Sequence, residues 1–121
     1  MSTGNPAVAA RPGGRTYHLT PEEVWSAQEA GDYRPEAFDA DGFVHCTDGE
    51  VNLLAVANTF YQGDKRPHVV LVIDPERLSA PVRYEDPDRI YPHVYGPVNR
   101  DAVVEVRRAV RLADGSFVGI E

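Results

Sequence analysis

The chain has 121 residues, 42% of them hydrophobic, which is enough for one domain with one core and leaves no room for a second. Nineteen acidic against twelve basic residues give a formal charge of −7, a field that repels phosphate backbones and anionic lipid and so argues against nucleic-acid partners. The single cysteine, Cys46, rules out an internal disulfide, and no stretch approaches the roughly 20 apolar residues of a membrane span or the apolar region of a secretory signal; the expectation is a reduced, cytoplasmic protein with no membrane association.

Residues 1–14 are rich in Ala, Gly, Pro and Ser and show no apolar periodicity. Burial there is too slight to offset the entropy of ordering, which predicts a flexible tail ahead of a domain over 15–121. A strand starts at Arg15, with Tyr17 and Leu19 toward a core and Thr16, His18 and Thr20 on the other face. Thr20 is placed to cap a helix, with Pro21 at its first position, Glu23 completing a capping box and Gly31 as the stop.

The segment from Asp32 to Asp41 contains Pro35 and mixes charges with Tyr33 and Phe38, so it reads as a loop with about one helical turn, able to lie over a site. The stretch from Asp41 to Thr47 reads as a strand running into a helix, with Phe43, His45 and Thr47 on one face and Val44 and Cys46 on the other. Thr47 and Glu50 repeat the capping pattern, and Leu53, Val56, Ala57 and Phe60 follow at helical spacing to about Tyr61, with Gly63 ending the helix. Side chains at the end of that strand therefore stand beside a helix N-terminus, which favours an anion and would activate Cys46 as a thiolate. Alternation nevertheless turns Cys46 away from His45, as a small buried hydrophobe.

The run from His68 to Ile73 is continuously apolar and β-branched, the pattern of a central strand covered on both faces; His68, next to Lys65-Arg66-Pro67, is read as a surface residue. A turn over Asp74–Leu78 leads to a short strand at Val82–Glu85, with Arg83 and Glu85 on one face. Pro92 and the following Gly96-Pro97 make the piece around Tyr91 to Tyr95 an edge or irregular segment. Val104, Val106, Arg108, Val110 and Leu112 alternate with charged residues along a long strand, and Asp114-Gly115 turns it into a hairpin with Phe117–Ile120. Two helices early and strands afterwards give an α+β domain with an antiparallel or mixed sheet.

Three of the four histidines, His18, His45 and His93, sit on or beside apolar runs, and if their strand ends converge they form a polar cluster with Thr47, Tyr84, Glu85 and Tyr95. Metal-ligand spacings such as HExxH or CxxC are missing, so no metal site is expected; nor is there a GxGxxG, P-loop or GxSxG motif.

Four motifs in order, Tyr17-His18-Leu19-Thr20-Pro21, Gly42-Phe43-Val44-His45-Cys46-Thr47, Val82-Arg83-Tyr84-Glu85 and Pro92-His93-Val94-Tyr95-Gly96-Pro97, resemble the signature of the bacterial family called domain of unknown function 952, over about residues 15 to 112. That family is grouped with the ADP-ribosyltransferase-like superfamily. The resemblance implies two small, mostly antiparallel sheets with two helices near the N-terminus, and a cleft between the sheets that takes NAD as substrate. It implies that His18, with Thr20, Thr47 and Tyr84, holds the NAD, His18 contacting the ribose, although Leu19 stands where a glycine commonly follows. It places His45 at the second strand position, among catalytic candidates that include Glu85, His93 and Tyr95; these last three all remain open for the third position, which steadies the positively charged ribose. The function so implied is NAD-dependent ADP-ribosyl transfer to a small molecule, or hydrolysis of NAD. The alternative is a non-catalytic pocket for a nucleotide-like or other small molecule. On either reading, His18 and His45 are held for a ligand, and their replacement by alanine is expected to change stability little.

Overall fold

The computed structural model describes residues 14–121; segment 1–13, nearly all of the expected tail, lies outside the described residues. In chain order these form β1 (Thr16–Pro21), α1 (Glu22–Ser26), α2 (Phe38–Asp41), β2 (Val44–His45), α3 (Glu50–Phe60), β3 (His68–Ile73), β4 (Val82–Tyr84), β5 (Pro92–Val94), β6 (Val103–Arg111) and β7 (Phe117–Ile120), with single 3-10 turns at Pro75–Arg77 and Arg100–Ala102. The fold is α+β. Its strands make two antiparallel sheets, a four-stranded one in the order β1-β3-β6-β7 and a three-stranded one in the order β2-β5-β4.

The continuous apolar run of β3 has the expected cause. All six of its residues are buried, and the strand is flanked by β1 and β6. Its side chains feed two cores: Val69, Leu71 and Ile73 join Val44 and Val94 of the small sheet and Cys46 just after β2, while Val70 joins Leu53 and Ala57 of α3 with Phe117 and Ile120 of β7. The large sheet is thus a middle layer, with the small sheet on one face and α3 on the other. Each fully buried Val, Leu or Ile contributes roughly 1.5–3 kcal/mol through removal of apolar surface from water.

Several local expectations change once both layers are present. His18 pairs with Leu71 across β1 and β3 and so lies on the face that meets the small sheet; Thr16, His18 and Thr20 are all at most 5% exposed, although alternation assigned them to the side away from the core. Thr20 caps nothing, because β1 continues through Pro21 and α1 begins at Glu22; the backbone N–H of Glu22 donates instead to the Pro67 carbonyl. This helix ends at Ser26, well before Gly31.

The expected strand over Asp41–Thr47 contracts to Val44–His45, because Asp41 closes α2 and Gly42, at φ +79°, supplies the left-handed residue that ends it. Thr47 does not cap α3 either: its backbone exchanges hydrogen bonds with Tyr17, stitching the two sheets together, and Gly49 precedes the helix. His68 is not a surface residue. It is 1% exposed, lies opposite Pro21 in the sheet and packs edge-on against Phe117, and its Nδ1–H donates to the Arg66 carbonyl at 2.7 Å.

The segment containing Pro92 is neither edge nor irregular. β5 is the middle strand of the small sheet, and Pro92 is tolerated as its first residue, where its carbonyl accepts from the Cys46 N–H and its missing N–H costs no ladder bond. Along β6 the alternating valines are not the core face that their spacing suggested: Val104 and Val106 are 39% and 43% exposed. Val106 does lie opposite Leu71, but the small sheet, built from strands of two and three residues, does not reach across it.

Candidate functional site

A cavity of about 680 Å³ opens along the free edge of β1, between the two sheets and the last turn of α3. One wall is apolar, built by Leu19, Pro21, Val56, Phe60 and Tyr61. The polar part of the lining comes from His45 of β2, Thr47 two residues on, Glu85 just after β4 and His93 of β5. The segment Pro35–Ala37 and Asp41 form its rim.

The sheet geometry determines what β1 offers the cavity. In an antiparallel strand the backbone groups of alternate residues point to opposite sides. Tyr17 turns its N–H and C=O away from β3, to Thr47, so Leu19, two residues on, presents its N–H and C=O to the same open edge, inside the cavity. An adjacent donor and acceptor on a fixed backbone complement a primary amide.

His18 lines the cavity but spends both ring nitrogens within the protein. Nδ1 lies 2.6 Å from the His45 carbonyl and Nε2 2.9 Å from the Tyr33 hydroxyl, which is in turn 2.7 Å from Thr20 Oγ1. A carbonyl can only accept, so Nδ1 carries the proton and Nε2 accepts from Tyr33; Tyr33 then accepts from Thr20. Burial pulls the His18 pKa down to about 4, against the raising effect of the His45 carbonyl, so the ring is neutral. Tyr33, fully buried, has its ionisation pushed well up by burial. Sequence reasoning placed Tyr33 in a polar loop and missed it, because the Val98 backbone that pins it lies 65 residues away along the chain (98 − 33).

His45 and His93 are direct neighbours across β2 and β5, with ring centroids 5.4 Å apart. Each is held by a carboxylate: His45 Nε2 by Asp41 Oδ2 at 2.9 Å, and His93 Nδ1 by Glu85 Oε1 at 3.0 Å. Phe43 stacks on the His93 ring at 4.0 Å and meets His45 edge-on at 4.6 Å, which fixes both ring planes. Among the described residues His45 Nδ1 and His93 Nε2 have no protein partner, so both are available to a ligand. Glu85 Oε1 also accepts from the Tyr95 hydroxyl, and these bonds, Tyr95 first and His93 second, hold its carboxyl below the usual range.

Of the eight residues singled out from sequence, six line the cavity: His18, Thr20, His45, Thr47, Glu85 and His93. The other two stand behind it. Tyr95 braces Glu85, and the Tyr84 hydroxyl donates to Asp48 Oδ2 at 2.5 Å, its ionisation pushed up by burial and then by that aspartate. Thr47 is 4% exposed overall, and its hydroxyl makes no hydrogen bond to the protein among the described residues, so it is open to a ligand in the cavity that it lines. Cys46 faces the inter-sheet core, where burial pushes its thiol up rather than down, so the neighbouring helix terminus does not activate it. Among the described residues no group of three or more His, Cys, Asp or Glu side chains is placed to hold a metal ion, and no helix is long and apolar enough to cross a membrane.

With this geometry in hand, comparison with known proteins gives one family and one fold. The family described as Protein of unknown function (DUF952) matches residues 19–106. A crystal structure of protein CC0527 from Caulobacter crescentus superposes with a TM-score of 0.74 at 24% identity, covering 86% of this chain and 93% of that one. The solution structure of CC0527 gives 0.66 at 23% identity, covering 84% and 89%. No curated protein matches.

Proposed function

The chain belongs to the DUF952 family of proteins of unknown function, and for this member we propose an ADP-ribosyltransferase-like activity: cleavage of the N-glycosidic bond of a nicotinamide nucleoside or nucleotide such as NAD, with transfer of the ribosyl group to a small acceptor or to water. The observation that carries this reading is the cavity itself, where an unpartnered Thr47 hydroxyl, an open backbone donor–acceptor pair at Leu19 and the ionised Glu85 converge on one space.

Each group has a chemical role. The Leu19 N–H and C=O take the carboxamide of nicotinamide, and the apolar wall at Phe60 and Tyr61 covers the ring. The Thr47 hydroxyl takes a ribose hydroxyl. When the bond between C1′ and the ring nitrogen breaks, its electron pair returns to the pyridine and positive charge develops on the ribose. Glu85, fixed by Tyr95 and His93 before the substrate arrives, stabilises that charge. In this proposal Glu85 takes the third position, with His93 and Tyr95 as its positioning residues. Water or an acceptor hydroxyl then attacks C1′ and loses its proton to His45, whose ring Asp41 orients. His18 and Thr20 act through Tyr33, as the scaffold that keeps β1 in register with the His45 carbonyl.

The deciding experiment follows nicotinamide release from nicotinamide riboside and, separately, from NAD by proton NMR over hours, for the parent and for Glu85→Gln, release from either substrate counting for the proposal. The expected result is slow release by the parent, lost in the variant. If the parent releases none, with or without candidate acceptor alcohols, and nicotinamide does not bind at millimolar concentration, the proposal fails.

A further inference from the structure

The charge of the cavity is at odds with the charge of NAD. A nicotinamide dinucleotide brings a pyrophosphate, which proteins hold with Lys or Arg side chains or with backbone N–H groups at a helix N-terminus. Among the described residues the lining contains no Lys and no Arg, and it contains four carboxylates, Glu36, Asp41, Glu85 and Asp86. The two helix starts that border it, at Pro21 and Ala37, open helices of only five and four residues, and their first N–H groups, of Glu22 and Phe38, already donate to Pro67 and Pro35. The arginines nearest this region are engaged elsewhere: Arg66 is committed to Asp64, Glu36 and Glu23 on the outer side of the rim, Arg83 lies over the Tyr95 ring and Arg89 over Tyr84. Inside a cavity walled on one side by hydrocarbon, charge interactions are screened less than at an open surface, so this imbalance discriminates between ligands rather than merely colouring the field.

Resting on the functional reading above, we infer that the substrate of this site is a phosphate-free cationic N-riboside, of the pyridinium nucleoside class, rather than NAD. Its positive ring nitrogen is matched by the carboxylates, its ribose by Thr47, and its carboxamide by the Leu19 backbone. Each phosphate added at the 5′ position would bring negative charge into a lining with four carboxylates and no Lys or Arg among the described residues, where Arg66 is already taken up by Glu36, Glu23 and Asp64. The same carboxylates favour the reaction, because positive charge moves from the pyridinium to the ribosyl carbon without leaving their reach.

Isothermal titration at about pH 8, above the ordinary imidazole range, tests this with nicotinamide, nicotinamide riboside, nicotinamide mononucleotide and NAD. The expected result is that the riboside binds about tenfold or more tightly than either phosphorylated compound, with the gap shrinking as salt is raised. A double variant Glu36→Gln, Asp86→Asn removes both charges while keeping one acceptor oxygen at each position, and it should also shrink that gap, with near-ultraviolet circular dichroism confirming a native fold. If NAD or the mononucleotide binds as tightly as the riboside while nicotinamide competes, the inference is overturned and the nicotinamide reading stands. If neither the riboside nor nicotinamide binds at millimolar concentration, both fall.

Discussion

His18 and Tyr33 meet inside the protein with 2.9 Å between the imidazole Nε2 and the phenol oxygen, and the proton order along Thr20, Tyr33, His18 and the His45 carbonyl runs in one direction. The relay joins β1, the segment before α2, and β2, three pieces that share no continuous secondary structure. It makes His18 part of the architecture, against the expectation that its loss would hardly change stability.

His18→Ala is therefore expected to cost roughly 2–4 kcal/mol, from the cavity left behind and the polar partners left unpaired. Urea denaturation followed by circular dichroism measures this; a cost under about 0.5 kcal/mol would return His18 to the ligand-binding group.

The same residue sets a pH dependence. Its folded pKa, about 4, lies below the 6.5 of the unfolded chain, so between those values the unfolded state binds more protons. The His18 contribution is complete above pH 6.5 and is lost as pH falls toward about 4, an effect on the order of 3 kcal/mol. Comparing unfolding midpoints at neutral and mildly acidic pH for the parent and for His18→Gln isolates it, and the variant should show the shallower slope. Equal slopes would mean that His18 does not titrate in this way.

Tyr33→Phe keeps the ring and removes only the hydroxyl, leaving His18 Nε2 and Thr20 without their shared partner. The expected loss is about 1–3 kcal/mol with the fold retained. A neutral result would show that water replaces the phenol.

His45 behaves oppositely. Its side chain is 53% exposed and holds only Asp41, so His45→Ala should change stability by no more than about 0.5 kcal/mol while abolishing turnover. A large fall in melting temperature would reveal a structural role for the Phe43–His45–His93 ring cluster.

Arg66 binds Glu36 through two nitrogens and also reaches Glu23 and Asp64, tying the rim segment Pro35–Ala37 to the body. Its guanidinium is partly exposed, so Arg66→Ala should cost at most about 1 kcal/mol in global stability. Hydrogen exchange in the rim segment, monitored by mass spectrometry, should nevertheless accelerate several-fold. Unchanged exchange there would mean that packing of Phe38 alone holds the rim.

Local chemistry in the sequence was sufficient for β3, for the span of α3 and for the hairpin of β6 and β7, because continuous β-branched hydrophobes, helical spacing and an Asp-Gly turn each act over a few residues. It was also sufficient to single out His45, Thr47, Glu85 and His93 as residues that would cluster if their strand ends converged, and the four do line one cavity. The tertiary structure alone decided which face of each strand is covered. Val106 follows the apolar alternation yet stays exposed, and His68 comes soon after the charged pair Lys65-Arg66 yet is buried, because coverage depends on how far a neighbouring layer extends. It alone brought Tyr33 to His18 and set Glu85 against Tyr95 and His93. A hydrogen bond needs its partner within about 3 Å, and no rule of spacing along the chain specifies that distance between elements that meet only after folding.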